Sequence, residues 1–353
     1  MYKLLQCIVS LACLFSLPIV SRAQSLLDLP RVSQHAKVTQ RIGITNITID
    51  YNRPLVNGRK IWGGLEAYGK VWRAGANENT TIDFSDPVRV EGKPLPRGTY
   101  GLHMIPGEKE WTVIFSKNHT SWGSYTYDPA EDALRVTVSP QNTELHEALT
   151  YLFENPKPQS TVVAMRWEKI AVPFKVDVNV DEIVQASVKN ELRGAAKWTW
   201  QGWDEAANYL LVQKVALEDA LKYCDESMAV EERFDNLITK ANVLDALNRQ
   251  NDSASIRKKA LTLGSAVQLH SYGRQLQGQG KQDQAFEIFR LNMKKNPNHW
   301  LAHNEAARIA SSQGKFDNAV KEMKLAMAGA PDQYKPVIEP LVKRLEAKQD
   351  INK

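Results

Sequence analysis

Cysteine is nearly absent: the 353 residues hold three, and two of them, Cys7 and Cys13, fall within the first 23 positions. A disulfide-stapled scaffold and a paired-cysteine metal or redox motif are thereby excluded. Cys224 lies in a helical stretch with no Cys-His constellation around it, and is expected to be a small buried apolar residue rather than a nucleophile. An excess of one charge is missing too. Lys and Arg number 45 against 40 Asp and Glu, and the resulting +5 is too mild to argue for nucleic acid. With 43% apolar and 24% charged residues, collagen-like, wholly disordered and polytopic membrane chains are ruled out. The chain also lacks Gly-x-Ser-x-Gly and calcium-loop motifs. Gly64 to Lys70 starts like a phosphate loop, but Val71 stands where magnesium would need a Ser or Thr.

What is present begins with a leader. Lys3 supplies a short positive start, Leu4 to Val20 is almost entirely apolar, and Ser21-Arg22-Ala23 ends in small-x-small form. Residues 1–23 are therefore expected to be a signal peptide cleaved before Gln24, giving an exported, periplasmic or extracellular protein with no membrane span after cleavage.

Composition then divides the chain near residue 180. Eleven prolines lie from Pro30 to Pro173 against four beyond, and eleven of 19 glycines fall from Gly43 to Gly123. Proline and glycine at this density punctuate short strands. Ile44 to Tyr51 and Leu134 to Val138 alternate with period two, and Trp111 to Phe115 is β-branched and aromatic. Thr161 to Trp167 and Ala171 to Val178 read as a closing pair of strands. The expectation for residues 24–180 is an all-β antiparallel sandwich or barrel.

Beyond it the period becomes helical. Asp181 is placed as an N-cap, with Ile183, Val184, Val188 and Leu192 on one face and Gly194 as the stop, so residues 181–200 read as a helical linker. Gly280-Lys281-Gln282-Asp283-Gln284-Ala285 recurs as Gly314-Lys315-Phe316-Asp317-Asn318-Ala319, 34 positions on, and Pro297 recurs as Pro331. Thirty-four is the tetratricopeptide period. Glycine at the hairpin turn lets two helices meet, alanine five positions later allows close approach, and proline ends the second helix. Ala220 and Ala254 extend the pattern upstream, so residues 201–331 resemble an all-α tetratricopeptide-like solenoid, capped by a helix within 332–353. The pattern departs at Asn292, where a second small residue is usual, and at Arg249, where the turn glycine is missing.

The β region carries residues specific enough to resemble a family. Pro30-Arg31-Val32-Ser33, Asp50-Tyr51-Asn52-Arg53-Pro54 with Gly58-Arg59, Gly69 through Glu78, and Gly98-Thr99-Tyr100 with Trp111-Thr112-Val113 are similar to the secreted domain-of-unknown-function 2911 family over roughly residues 28 to 178. That resemblance implies a bacterial, exported β domain, often followed by tetratricopeptide-like repeats. It brings no established activity or catalytic residues.

Two clusters are candidate sites. Arg53, Arg59, Trp72, Arg73, Asn77 and Glu78 could form a fork for a carboxylate, phosphate or sulfate, because guanidinium presents paired planar donors. The competing reading is structural: a tight turn at Gly75-Ala76-Asn77, with Glu78 pairing Arg73 and Arg59 bracing a loop. Trp122 and Tyr125, with Asp128, Glu131 and Asp132 close behind, suit a sugar ring or an apolar side chain, or simply cover the end of the sandwich. His299 and His303 stand four apart but lack a third ligand, and His35, His103, His119 and His146 are scattered singly. No catalytic residue, metal or cofactor is assigned. The expected function is a non-enzymatic binding or scaffolding protein whose repeats engage a protein or peptide partner, the β domain taking a small anionic or carbohydrate ligand. The alternative is a hydrolase of glycan or peptide, with Glu78, Asp128 or Asp132 as acid and base and Arg73 holding an anionic group.

Overall fold

A computed structural model describes residues 29–352 of the chain. The expected leader, with Cys7 and Cys13, lies outside the described residues. The chain separates into two compact units, one ending at Val180 and the other starting at Asp181.

The first unit is all β. Its strands are β1 (Gln34–Ile42), β2 (Thr45–Arg53), β3 (Thr81–Phe84), β4 (Val88–Val90), β5 (Lys93–Leu95), β6 (Gly98–Ile105), β7 (Trp111–Ser116), β8 (Asp132–Val138), β9 (Gln141–Lys157) and β10 (Ser160–Asp177). One sheet runs β1-β2-β3-β6-β7-β8 and the other β5-β4-β10-β9, antiparallel throughout. The inward-facing residues of each sheet meet those of the other: Phe115 of β7 lies edge-on to Phe174 of β10 at 5.9 Å, and Tyr51 of β2 to Tyr151 of β9 at 4.8 Å. A sandwich results, as the short alternating strands predict. Its core includes a tryptophan cluster, in which Trp62 packs at 4.7 Å from Trp111 and Trp72 stacks on Trp167 at 5.7 Å.

The expected closing pair, Thr161 to Trp167 with Ala171 to Val178, is corrected by β10. These residues form one strand, and its partner is β9. The reason is a bulge at Glu168, whose φ of 54° is left-handed and whose register against β9 shifts on both sides. One extra residue flips the inward face, so that Val163, Met165 and Trp167 are buried before it and Val172, Phe174 and Val176 after it. Read by alternation alone, a strand that changes phase looks like two.

The second unit is helical: α1 (Val180–Glu191), α2 (Trp200–Gln213), α3 (Leu217–Val230), α4 (Phe234–Ala246), α5 (Gln250–Leu263), α6 (Ala266–Gly278), α7 (Gln282–Lys295), α8 (Trp300–Ser312), α9 (Phe316–Gly329) and α10 (Lys335–Glu346). Asp181 falls in the first turn of α1 rather than at its cap. From α2 to α9 the helices pack as four pairs, with α10 against α9, which is the arrangement of tetratricopeptide-like repeats.

Two details of the repeat differ from expectation. The small residue at the crossing is the fourth of each second helix, namely Ala220, Ser253, Ala285 and Ala319, all fully buried. Ser253 therefore holds the place expected for Ala254, which faces outward, and its hydroxyl donates to Ala241 O at 2.9 Å. The missing glycine is replaced one position before Arg249. Gly280 and Gly314 have φ of 76° and 70°, and Asn248 holds the same left-handed position at 61°, a conformation that asparagine tolerates better than other side chains.

Candidate functional site

The exposed chemistry of the β unit gathers on two loops. One joins β2 to β3 and carries Arg73; the other joins β7 to β8 and carries Trp122 and Tyr125. The two rings lie parallel, 7° apart in plane with centroids at 5.9 Å, and are 53% and 79% exposed. Arg73 covers them both, its guanidinium carbon 5.1 Å from the Trp122 ring and 5.8 Å from Tyr125. Gly123 makes this approach possible, because a β-carbon there would stand 2.8 Å from Arg73 Nη1. Arg73 is fixed from the other side by donating through Nη1 to Asn77 O at 2.6 Å. Asn77 has a left-handed φ of 59°, which turns its carbonyl toward the guanidinium.

Beneath this platform sits a polar layer that joins His103, a scattered histidine in the sequence, to the neighbourhood of Asp132, a candidate acid or base there. His103, buried on β6, makes a 2.9 Å hydrogen bond between Nδ1 and Ser124 Oγ and packs beside Tyr127 at 5.3 Å. Burial lowers its pKa to about 4, with Arg73 acting in the same sense and Asp132 opposing. The Tyr127 hydroxyl donates to Asp132 Oδ2 at 2.7 Å, and Arg135 donates to both groups. The space enclosed by His103, Ser116, Asn118, Ser121 and Tyr127 is too tight for a water molecule. Glu66, half-buried in the β2 to β3 loop, faces both Arg73 and Arg59. Desolvation raises its pKa to about 7 against the pull of the two guanidiniums. Neither His103 nor Glu66 had a sequence signal, since a lone His or Glu fits no spacing rule.

The six residues of the first candidate cluster do not surround one space. Arg53 donates through Nε to Leu149 O at 2.9 Å and through Nη2 to Thr150 Oγ1 at 2.8 Å, fastening β2 to β9. Arg59 donates to Val56 O at 3.0 Å and to Leu55 O, closing its own loop. Trp72 belongs to the core and donates from Nε1 to Gly75 O at 3.2 Å. Glu78 pairs with Arg31 at 2.6 Å, not with Arg73. Desolvation pushes its pKa upward, but hydrogen bonds from Arg31 and Asn52 hold it below the ordinary carboxylate value. Arg73 alone of the six joins Trp122 and Tyr125. Asp128 accepts from Ala130 N at 2.9 Å as a helical cap.

In the helical unit His299 caps α8, its Nδ1 accepting from Leu301 N at 3.2 Å, and His303 pairs with Glu322 at 2.7 Å. Cys224 is fully buried, and burial among Asp204 and Asp225 pushes its thiol up to about 12. Asn292 is buried as a hydrogen-bond hub, donating to Ala266 O at 2.9 Å and to Glu305 Oε1 at 2.7 Å. The polar residue at that repeat position is thus occupied by a built network.

Comparison with known proteins adds little chemistry. A solved tetratricopeptide-repeat protein, YrrB, described as having an unusual peptide-binding site, is 17% identical, with 46% of this chain and 85% of that chain covered and a TM-score of 0.27. No curated protein matches. Residues 33–176, from the start of β1 nearly to the end of β10, match the model of the family described as Protein of unknown function (DUF2911), so the resemblance carried by the motif residues extends across the whole β unit.

Proposed function

We propose that this is an exported, non-enzymatic binding or scaffolding protein, in which the helical repeats engage an extended protein segment and the β unit binds a glycan bearing an anionic group. The observation that carries the second half is the exposed Trp122–Tyr125 pair lying parallel with Arg73 over it. Aromatic faces take up the apolar face of a sugar ring, and guanidinium supplies paired donors for a carboxylate or sulfate. Stacked helix pairs present long surfaces suited to extended partners, which supports the first half. The hydrolase alternative is less well supported, because Glu78, Asp128 and Asp132 are each engaged in the structural contacts described above. Export rests on the leader of residues 1–23, and amino-terminal sequencing of the protein from the envelope fraction should start at Gln24.

Titration calorimetry with neutral and uronic-acid oligosaccharides tests the glycan site. Binding of an acidic oligosaccharide should fall about tenfold or more in Trp122→Ala and in Arg73→Ala, with the melting temperature of Trp122→Ala unchanged. Equal binding by parent and Trp122→Ala would refute the platform.

A further inference from the structure

Arg274 on α6 and Arg308 on α8 stand 34 residues apart, each the ninth residue of the first helix in its pair. Gln277 and Ser311 repeat the same spacing three positions on. A third guanidinium, Arg344, comes from α10. Arg274 and Arg344 lie close enough to Arg308 to disfavour its charge. Burial, followed by repulsion from Arg274 and Arg344, lowers the Arg308 pKa to about 9, while Asp350 and Glu305 oppose the shift. Positive charge at a repeated position on consecutive first helices is a surface for an acidic segment.

The chain itself supplies such a segment. Past α10 the backbone turns at Lys348, with a left-handed φ of 54°, and Asp350-Ile351-Asn352 lies back over α8. Its main chain is held by side chains. Arg308 Nη1 donates to Ile351 O at 3.3 Å, Arg344 Nη2 to Asp350 O at 2.7 Å, and Ile351 N to Ser311 Oγ at 3.1 Å. The side chains are held as well. Asp350 Oδ1 accepts from Ser311 Oγ at 2.9 Å, and Asn352 accepts from Gln277 Nε2 at 2.9 Å while donating to Arg308 O at 2.8 Å. Ile351 is 3% exposed and packs with Ala307, Val342 and Leu345. Main-chain bonds from a repeat face, one aliphatic socket and one acidic contact together make the grammar of peptide recognition.

We propose that the face formed by α6, α8 and α10 is a peptide site occupied at rest by the protein's own Asp350–Asn352 segment, and that a partner segment of the same chemistry, an acidic residue followed by an aliphatic one in a turn closed by the acidic side chain on the next backbone N–H but one, binds by displacing it. This rests on the reading of the helical unit as a peptide binder. The internal segment acts as a competitor held at high effective concentration, so the intact chain binds such a peptide weakly and a chain without the segment binds it well.

The test uses the full chain and a chain ending at Lys348, with a fluorescent peptide Lys-Gln-Asp-Ile-Asn-Lys read by anisotropy. The shortened chain should bind the peptide about tenfold or more tightly than the intact chain. Binding should be lost on replacing Asp or Ile of the peptide by Ala, or with Arg308→Ala in the shortened chain. A shortened chain that keeps its helical circular dichroism yet does not bind overturns the proposal. If shortening costs the fold, a chain with a protease site between Lys348 and Gln349 is cut after folding. Exchange of the cut segment for labelled peptide then supports the proposal, and unfolding on cutting, or retention without exchange, overturns it. Capture of the probe by the shortened chain, with no partner recovered from envelope extract, leaves the site standing and counts only against the wider partner reading. A recovered partner that binds both chains equally overturns displacement alone.

Discussion

At the scale of single residues, burial rather than residue type assigns the roles in this protein. Arg53, Arg59 and Arg73 are alike in sequence and each donates to a backbone carbonyl, yet of the three only Arg73 also covers an exposed aromatic pair. His103 shows the same principle for ionisation. Its folded pKa of about 4 lies below the unfolded value near 6.5, so the unfolded chain binds the proton first as the pH falls. The stability it permits is whole above pH 6.5 and is lost progressively toward pH 4, amounting to roughly 3 kcal/mol at the acid end. His103→Gln should therefore flatten the fall in urea midpoint between pH 7 and 4 relative to the parent. An unchanged difference between the two proteins across that range would refute the assignment. Cys224, buried with its thiol pushed to about 12, should fail to react with a thiol reagent until the helical unit unfolds.

At the scale of elements, β2, β7, β8, both halves of β10 and the repeat helices were legible because hydrophobic period encodes the face a segment buries, whereas β1, β3 to β6 and β9 were not. β2, β7 and β8 announce themselves by alternation, and the two 34-residue repeats announce α7 and α9 with their turns. β9 was invisible because it is largely solvent-facing, with only Leu149 and Tyr151 buried along its 17 residues. The phase change at Glu168 hid the unity of β10, since a bulge is set by pairing with a neighbour and leaves no local pattern. The turn before α5 is a milder case, in which asparagine does at position 248 what glycine does at 280 and 314. Gly314→Ala should cost about 1 kcal/mol by forcing a β-carbon into left-handed backbone. Asn248→Gly should change stability by only a few tenths of a kcal/mol, because its position already accepts that conformation. Denaturant midpoints of the two variants give the comparison, and equal losses would show that the turn conformation is not what separates them.

At the scale of the whole molecule, two units each have a core of their own. The β unit is built around Trp62, Trp72, Trp111 and Trp167, and the helical unit around successive clusters such as that of Leu237, Leu269 and Ala285. Trp167→Ala, which removes a fully buried ring, should cost about 3 to 5 kcal/mol and lower the melting of the β unit. The helical signal at 222 nm should melt at its parental temperature, and a parallel shift would show that the two cores unfold as one. The sequence by itself determined the division near residue 180, the sheet and helix classes, and the 34-residue repeat, because each is written as a local period of hydrophobicity or of turn residues. Only the tertiary structure decided which arginine lies over Trp122 and Tyr125, that His103 is buried beside Asp132, and that Asp350 to Asn352 lies on α8. Those facts join residues far apart along the chain, and such contacts are chosen by packing, which has no period to read.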